Sequence, residues 1–307
     1  EMILSADGDP MPKPDLTRWY RAQLDGSVDA EAVIEALHKR SDVAVAEPDY
    51  LRRPAGTSEL RGLAAPPARS SGAVRQALPG SGTDPLYDQQ WHLGAANVEQ
   101  AWQWLETNGY EPGGSRDIVV AVIDTGVDYD HPDLAANMWV NPAEFNGDPG
   151  VDDDDNGYTD DIYGADTVTP DGDPIDDHGH GTHVAGIIAA QANNSEGGVG
   201  IAYNAQIMAL KAAQYSGVLA SSDIAEAIHY AVEKGADVIN MSFGGYARSQ
   251  VEEDALAVAF GQAVLIAAAG NDGYPNEGPC IPARPMYPAS HNWVLGVMAS
   301  TREGKRA

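Results

Sequence analysis

The chain has 307 residues with 46 acidic against 18 basic side chains, a net charge of −28. That balance excludes nucleic acid and anionic membrane surfaces as partners, because both are bound through basic patches. An apolar fraction of 43% excludes general disorder, yet the longest apolar runs, such as residues 263–269, fall far short of the ~20 residues that span a bilayer.

Taken in chain order, residues 16–24 are β-prone, with Trp19 and Tyr20 in the middle of the run. Residues 30–39 place Val33, Ile34 and Leu37 at helical spacing behind Asp29, a suitable N-cap. Residues 43–46 close the unit as a short strand, so residues 1–50 read as a small α+β domain. Residues 51–83 are aperiodic and rich in Pro, Gly, Ala, Ser and Arg, which predicts an exposed linker open to proteolysis. Glu1 rather than Met opens the chain and no signal peptide is visible, so the N-terminus is expected to be cut.

From Asp84 onward the pattern becomes α/β. Residues 118–123, 207–210, 238–239 and 264–268 read as buried parallel strands, and residues 184–192, 224–234 and 251–261 as helices between them. This alternation predicts a doubly wound parallel sheet with its site at the carboxyl ends of the strands. Cys280 is the only cysteine, which rules out an internal disulfide, and it lies in a Pro-rich loop with no base beside it.

Three segments carry chemistry. Ile123-Asp124-Thr125-Gly126 ends an apolar strand in a carboxylate, although a strand-end aspartate also serves as a plain turn former. Asp177-His178-Gly179-His180-Gly181-Thr182-His183 offers a base, and its three histidines also suit a zinc hydrolase built on His178, His180 and His183. Ala268-Ala269-Gly270-Asn271 ends a buried strand in an amide that could donate to an oxyanion or merely form a turn.

In order and surroundings the three segments resemble the subtilisin-like serine proteases, as does Asn240-Met241-Ser242-Phe243-Gly244-Gly245. The resemblance covers residues 84–307, and residues 15–50 resemble the C-terminal part of that family's inhibitory pro-domain. It implies that Asp124 orients His180, that His180 is the general base, and that Asn271 stabilises the oxyanion. Ser242, Phe243 and Gly244 would pair with an extended substrate, and Ala268 and Gly270 would line the pocket for the residue before the cut. Phe243 and the neighbouring alanines suggest tolerance of medium to large apolar substrate side chains. The family's Gly-Thr-Ser-Met-Ala-x-Pro motif is absent from the 307 residues, and Gly56-Thr57-Ser58 is a decoy within the linker. The sheet is therefore expected to be incomplete at its C-terminal end and the chain inactive as written. A pseudoprotease that keeps the cleft as a binding module is the alternative. The family also implies a secreted zymogen, inhibited by its own pro-segment.

Residues 124–177 hold 17 Asp or Glu and no Lys or Arg. Within them Asp152, Asp154, Asn156 and Asp160 have the spacing of the first half of an EF-hand loop, with Gly157 at the turn and Tyr163 where a bidentate Glu would stand. This predicts structural Ca²⁺. The family resemblance implies a second Ca²⁺ site at Asp84, Asp133 and Asn194.

Overall fold

Every residue of Val119–Asp124 is buried, as a strand in the middle of a covered sheet requires. Around it, the computed structural model describes residues 2–4, 10–26, 28–55, 78–271, 284–302 and 304. In chain order the elements are β1 (Met2–Leu4), β2 (Pro10–Pro12), α1 (Ala30–His38), β3 (Leu51–Pro54), α2 (Trp91–Ala95), α3 (Val98–Thr107), β4 (Val119–Asp124) and α4 (Pro142–Phe145). They continue as β5 (Gly164–Asp166), α5 (His180–Ala189), β6 (Gln206–Lys211), β7 (Leu219–Ala220), α6 (Ser221–Glu233), β8 (Val238–Met241) and β9 (Phe243–Gly244). Last come α7 (Gln250–Ala259), β10 (Val264–Ala268) and β11 (Leu295–Val297).

Six parallel strands form one sheet in the order β11-β10-β8-β4-β6-β5. Successive side chains of β4 go to opposite faces, as strand geometry demands. Val120 and Val122 pack with Ala185 and Ala189 of α5, whereas Ala121 and Ile123 pack with Ile224, Ile228 and Leu256 of α6 and α7. Both faces are thus covered, and the expected doubly wound α/β sheet is present. Because all six strands run parallel, their carboxyl ends lie on one rim.

Two glycines permit the close packing at that rim. Gly126 turns the chain after β4 at φ +102°, where a Cβ would lie 2.5 Å from the Pro174 carbonyl oxygen. Gly181 lets α5 approach β4 so closely that a Cβ would stand 2.1 Å from the Gly126 carbonyl oxygen.

The N-terminal unit departs from expectation. Asp29 does cap α1, accepting from the Glu31 amide at 3.0 Å. Residues 16–18 form a single 3-10 turn, and neither 19–24 nor 43–46 pairs as a strand among the described residues. Their aromatic and alanine-valine content suits a strand only where a partner edge exists, and none adjoins them. The strand lies at Leu51–Pro54 instead, in the segment that reads as linker. It is held antiparallel between β7 and β9 in a three-stranded ribbon. Most of the remaining linker (residues 56–77) and Cys280 lie outside the described residues.

Candidate active site

Asp124 is the last residue of β4, and His180 the first of α5. The two meet with His180 Nδ1 2.6 Å from Asp124 Oδ1, the aspartate almost wholly buried. Thr125 N–H also donates to Oδ1 at 2.8 Å, and among the described residues Oδ2 has no hydrogen-bond partner. The other ring nitrogen, Nε2, lies 2.7 Å from the carbonyl oxygen of Ala55. Both ring nitrogens therefore face acceptors, which suits the doubly protonated ring. Burial alone would lower the His180 pKa. The hydrogen bond and charge of Asp124, aided by the Ala55 carbonyl and Asp176, outweigh burial and hold it above the ordinary value.

Asp176 positions the start of α5, a role the sequence did not reveal. Its Oδ1 accepts from the amides of His178 and Gly179 and from Thr125 Oγ1, and its Oδ2 accepts from Thr182 N and Oγ1. Burial raises the carboxyl's pKa, but these donors together hold it below the usual range. The only sequence signal was an acid shortly before a helix, common at N-termini.

Ala55 closes the ribbon over the site. Its amide donates to the Ser242 carbonyl at 2.7 Å, while Arg53 and Pro54 register against Gly244 and Phe243. The segment Ser242-Phe243-Gly244 thus pairs with an extended peptide of the same chain. The Phe243 ring turns into the core rather than toward the cleft, so it does not widen any substrate pocket. Met286 packs against both Gly244 and Gly270. Ala268 ends β10, and Asn271 follows it exposed on the same rim.

Upstream of β3, the chain is anchored on two helix N-termini. Glu47 accepts from Ser249 Oγ and from the Gln250 and Val251 amides at α7, and Asp49 accepts from the Ser222 amide and hydroxyl at α6. Carboxylates there satisfy unpaired amides and complement the helix dipole. Trp19 Nε1 donates to Asp254, and Arg21 pairs with Asp223.

The acidic loop gathers only part of the expected cation ligands. Asp152 and Asp154 come together with Glu144, which the sequence did not single out; among the described residues they form the one group of three or more such side chains spaced for a metal ion. Asp154 Oδ1 is buried and has no hydrogen-bond partner among the described residues, so an oxygen-seeking cation fits there. Its other oxygen takes Lys234 and Asn141, which hold the carboxyl below the usual range against the effect of burial. Asn156 instead donates to Asp161 and caps Tyr158, and Asp160 accepts from the Gly150 amide. At the second place, Asn194 Nδ2 donates to Asp133 at 2.8 Å, and Asp84 accepts from the Asn193 and Ser195 amides. Burial holds the Asp133 carboxyl above its usual value despite donation from Asn194 and Gly198. His178 and His183 remain exposed and belong to no such cluster among the described residues.

A model described as the subtilase family matches residues 115–307. The chain belongs to that family. Among its relatives is "Subtilisin-like protease 1" of Plasmodium berghei (strain Anka), 42% identical over 160 residues, which are 52% of this chain and 26% of the relative. "Thermophilic serine proteinase" of Bacillus sp. (strain AK1) is 34% identical over 270 residues, 88% of this chain and 52% of its own length. "Halolysin-like extracellular serine protease Nep" of Natrialba magadii is 37% identical over 226 residues, 72% of this chain and 35% of the relative. The chain therefore spans between a quarter and about half of these subtilases. No helix among the described residues is long and apolar enough to cross a membrane.

Proposed function

We propose that the protein carrying this chain is a secreted, calcium-stabilised serine endopeptidase whose own first substrate is the bond between Ala55 and Gly56. The observation that carries the reading is the line Asp124–His180–Ala55 carbonyl, with the peptide before that carbonyl paired as a strand against Ser242-Phe243-Gly244. Asp124 fixes the tautomer of His180 and stabilises its cation. Once the Ala55 carbonyl oxygen leaves Nε2 and the ring has given up that proton, His180 takes the proton of the serine hydroxyl as that oxygen attacks the Ala55 carbonyl carbon, then returns it to the departing Gly56 amine. Asn271 supplies an oxyanion donor, whose loss in a member of this family costs about 10²–10³ in rate.

The serine of this reading lies outside the 307 residues, so the chain alone binds the peptide without cutting it. With the Ala55 carbonyl resting on Nε2, the base is occupied, and the same docked segment is an inhibitor. The buried Asp154 oxygen beside Glu144 and Asp152 suits bound Ca²⁺, and the family resemblance implies a second ion at Asp84, Asp133 and Asn194. When bound, the ion neutralises crowded carboxylates and ties the surface loops together. Secretion is supported by the extracellular relative.

Sequencing the N-terminus of the matured full-length protein tests the proposal. A new terminus at Gly56 is expected, with no cut in the His180→Ala variant. Maturation at another bond, or unimpaired self-cleavage without His180, would overturn it.

A further inference from the structure

The peptide docked in the cleft carries two adjacent arginines, and the ribbon treats them oppositely. Arg53 is exposed, whereas Arg52 has 0% of its side chain accessible. Its partner is Glu252 of α7, likewise 0% accessible. Arg52 Nε donates to Glu252 Oε1 at 2.9 Å and Nη2 donates to Oε2 at 2.6 Å, a bidentate fork on the carboxylate. Ser221 Oγ donates to the same Oε1 at 3.3 Å, and Gly245 leaves room for the guanidinium, since a Cβ there would meet Arg52 Cδ and Nη1 at 3.1 Å.

Helix formation does not explain this acid. Ser249-Gln250-Val251-Glu252 has the spacing of a capping box, in which the glutamate turns back to its own helix terminus. Ser249 plays its part, accepting from the Glu252 amide at 3.4 Å, but the Glu252 carboxylate is spent on Arg52 and Ser221. A carboxylate buried without a partner is costly, so the pocket is built for a guest that brings its own positive charge.

On the reading that Ala55 precedes the cut, Arg52 is the fourth residue before it. We propose that Glu252 is a specificity-determining residue that makes this fourth-position pocket an arginine site, for polypeptide substrates as well as for the chain's own segment. An apolar guest would leave Glu252 buried and unpaired. A lysine reaches the charge but cannot span both oxygens.

The test is a set of peptides Leu-X-Arg-Pro-Ala-p-nitroanilide, with X as Arg, Lys, Leu or Glu, assayed on the matured full-length protein. The arginine peptide is expected to exceed the leucine peptide by about 30-fold or more in kcat/KM, the scale for breaking one side of a buried charged pair. Lysine should fall between them and glutamate last. The Glu252→Gln variant should lose most of the arginine preference; since the series on unaltered protein needs no variant, misfolding of that variant leaves the test intact. Binding of the free pentapeptides, followed by calorimetry, reads the same pocket without chemistry. Hydrolysis with no advantage for arginine would overturn the arginine pocket and leave the protease reading standing. Absence of all hydrolysis, with arginine still bound about 30-fold better than leucine, would overturn the protease reading and leave the pocket standing. Equal binding of all four peptides would sink the proposal outright.

Discussion

Raising the pH should loosen the segment from its cleft, and the cause is a single ring. In the docked state His180 donates from both nitrogens, to Asp124 at 2.6 Å and to the Ala55 carbonyl at 2.7 Å. Its pKa is held above the ordinary 6.5 in this state. A group whose pKa is raised by an interaction contributes fully below its unperturbed pKa and loses that contribution as pH climbs through the raised value. Deprotonation keeps the bond to Asp124 and leaves the Nε2 lone pair facing the Ala55 oxygen. The lost bond is charge-assisted, of a kind worth about 1.5–3 kcal/mol, or roughly 10- to 150-fold in docking equilibrium. Amide hydrogen exchange of residues 50–55 in a full-length precursor that keeps His180 but has its nucleophilic serine replaced by alanine, corrected for intrinsic rate, reads this directly. Protection of the Ala55 amide, which donates to Ser242, should fall by that factor as pH rises from about 6 to beyond the His180 pKa. Constant protection across that window, or tighter docking at high pH, would refute the protonated-ring argument. Asp124→Asn should move the dependence to lower pH, because it removes the charge that keeps the ring protonated.

Other consequences concern separate parts of the molecule. Glu47→Ala strips three donors at the α7 terminus of their acceptor, and should lower the precursor's stability by about 1 kcal/mol in a denaturant melt, the usual worth of a cap. Gly181→Ala should cost about 1–3 kcal/mol by overpacking and reduce activity as well, since the new methyl would push α5 and His180 off β4; activity and melting temperature of purified enzyme check both. Chelation with EDTA should lower the melting temperature of the full-length protein, with Asp154→Asn responding less than the parent; indifference to EDTA would argue against bound Ca²⁺.

The central sheet was legible because its middle strands are buried on both faces and read as continuous apolar runs, as in residues 119–123 and 207–210. Helix starts were less so. The first turn of α5 contains His180 and Gly181, residues chosen for chemistry and close packing rather than helix propensity, so periodicity alone begins the helix at Val184. Asp124 and His180 were singled out from the sequence, and the structure brings them within 2.6 Å of each other. Asp176 escaped, because a capping acid has no signature beyond its position. β3 was invisible for a deeper reason. Leu51-Arg52-Arg53-Pro54 has no strand pattern of its own, and its conformation is imposed by edges more than 160 residues away in sequence. In the acidic loop, spacing singled out Asp152 and Asp154, which the structure brings together, but not Glu144 from the neighbouring helix α4 that joins them. It also could not foresee that Asn156 would turn inward to Asp161.

The ribbon β7-β3-β9 has one more implication. Each outer strand is only two residues long, and they face one another across a gap one strand wide. Without an occupant, both would present unpaired N–H and C=O groups to any extended chain that passes, which is the property of a peptide receptor and also of an aggregation nucleus. Residues 51–55 lie earlier in the chain than both edges, so they are made before either edge exists. The slot is thus filled by a tethered guest from the moment it forms, and the hazard of an open edge is deferred until the fold around it is complete.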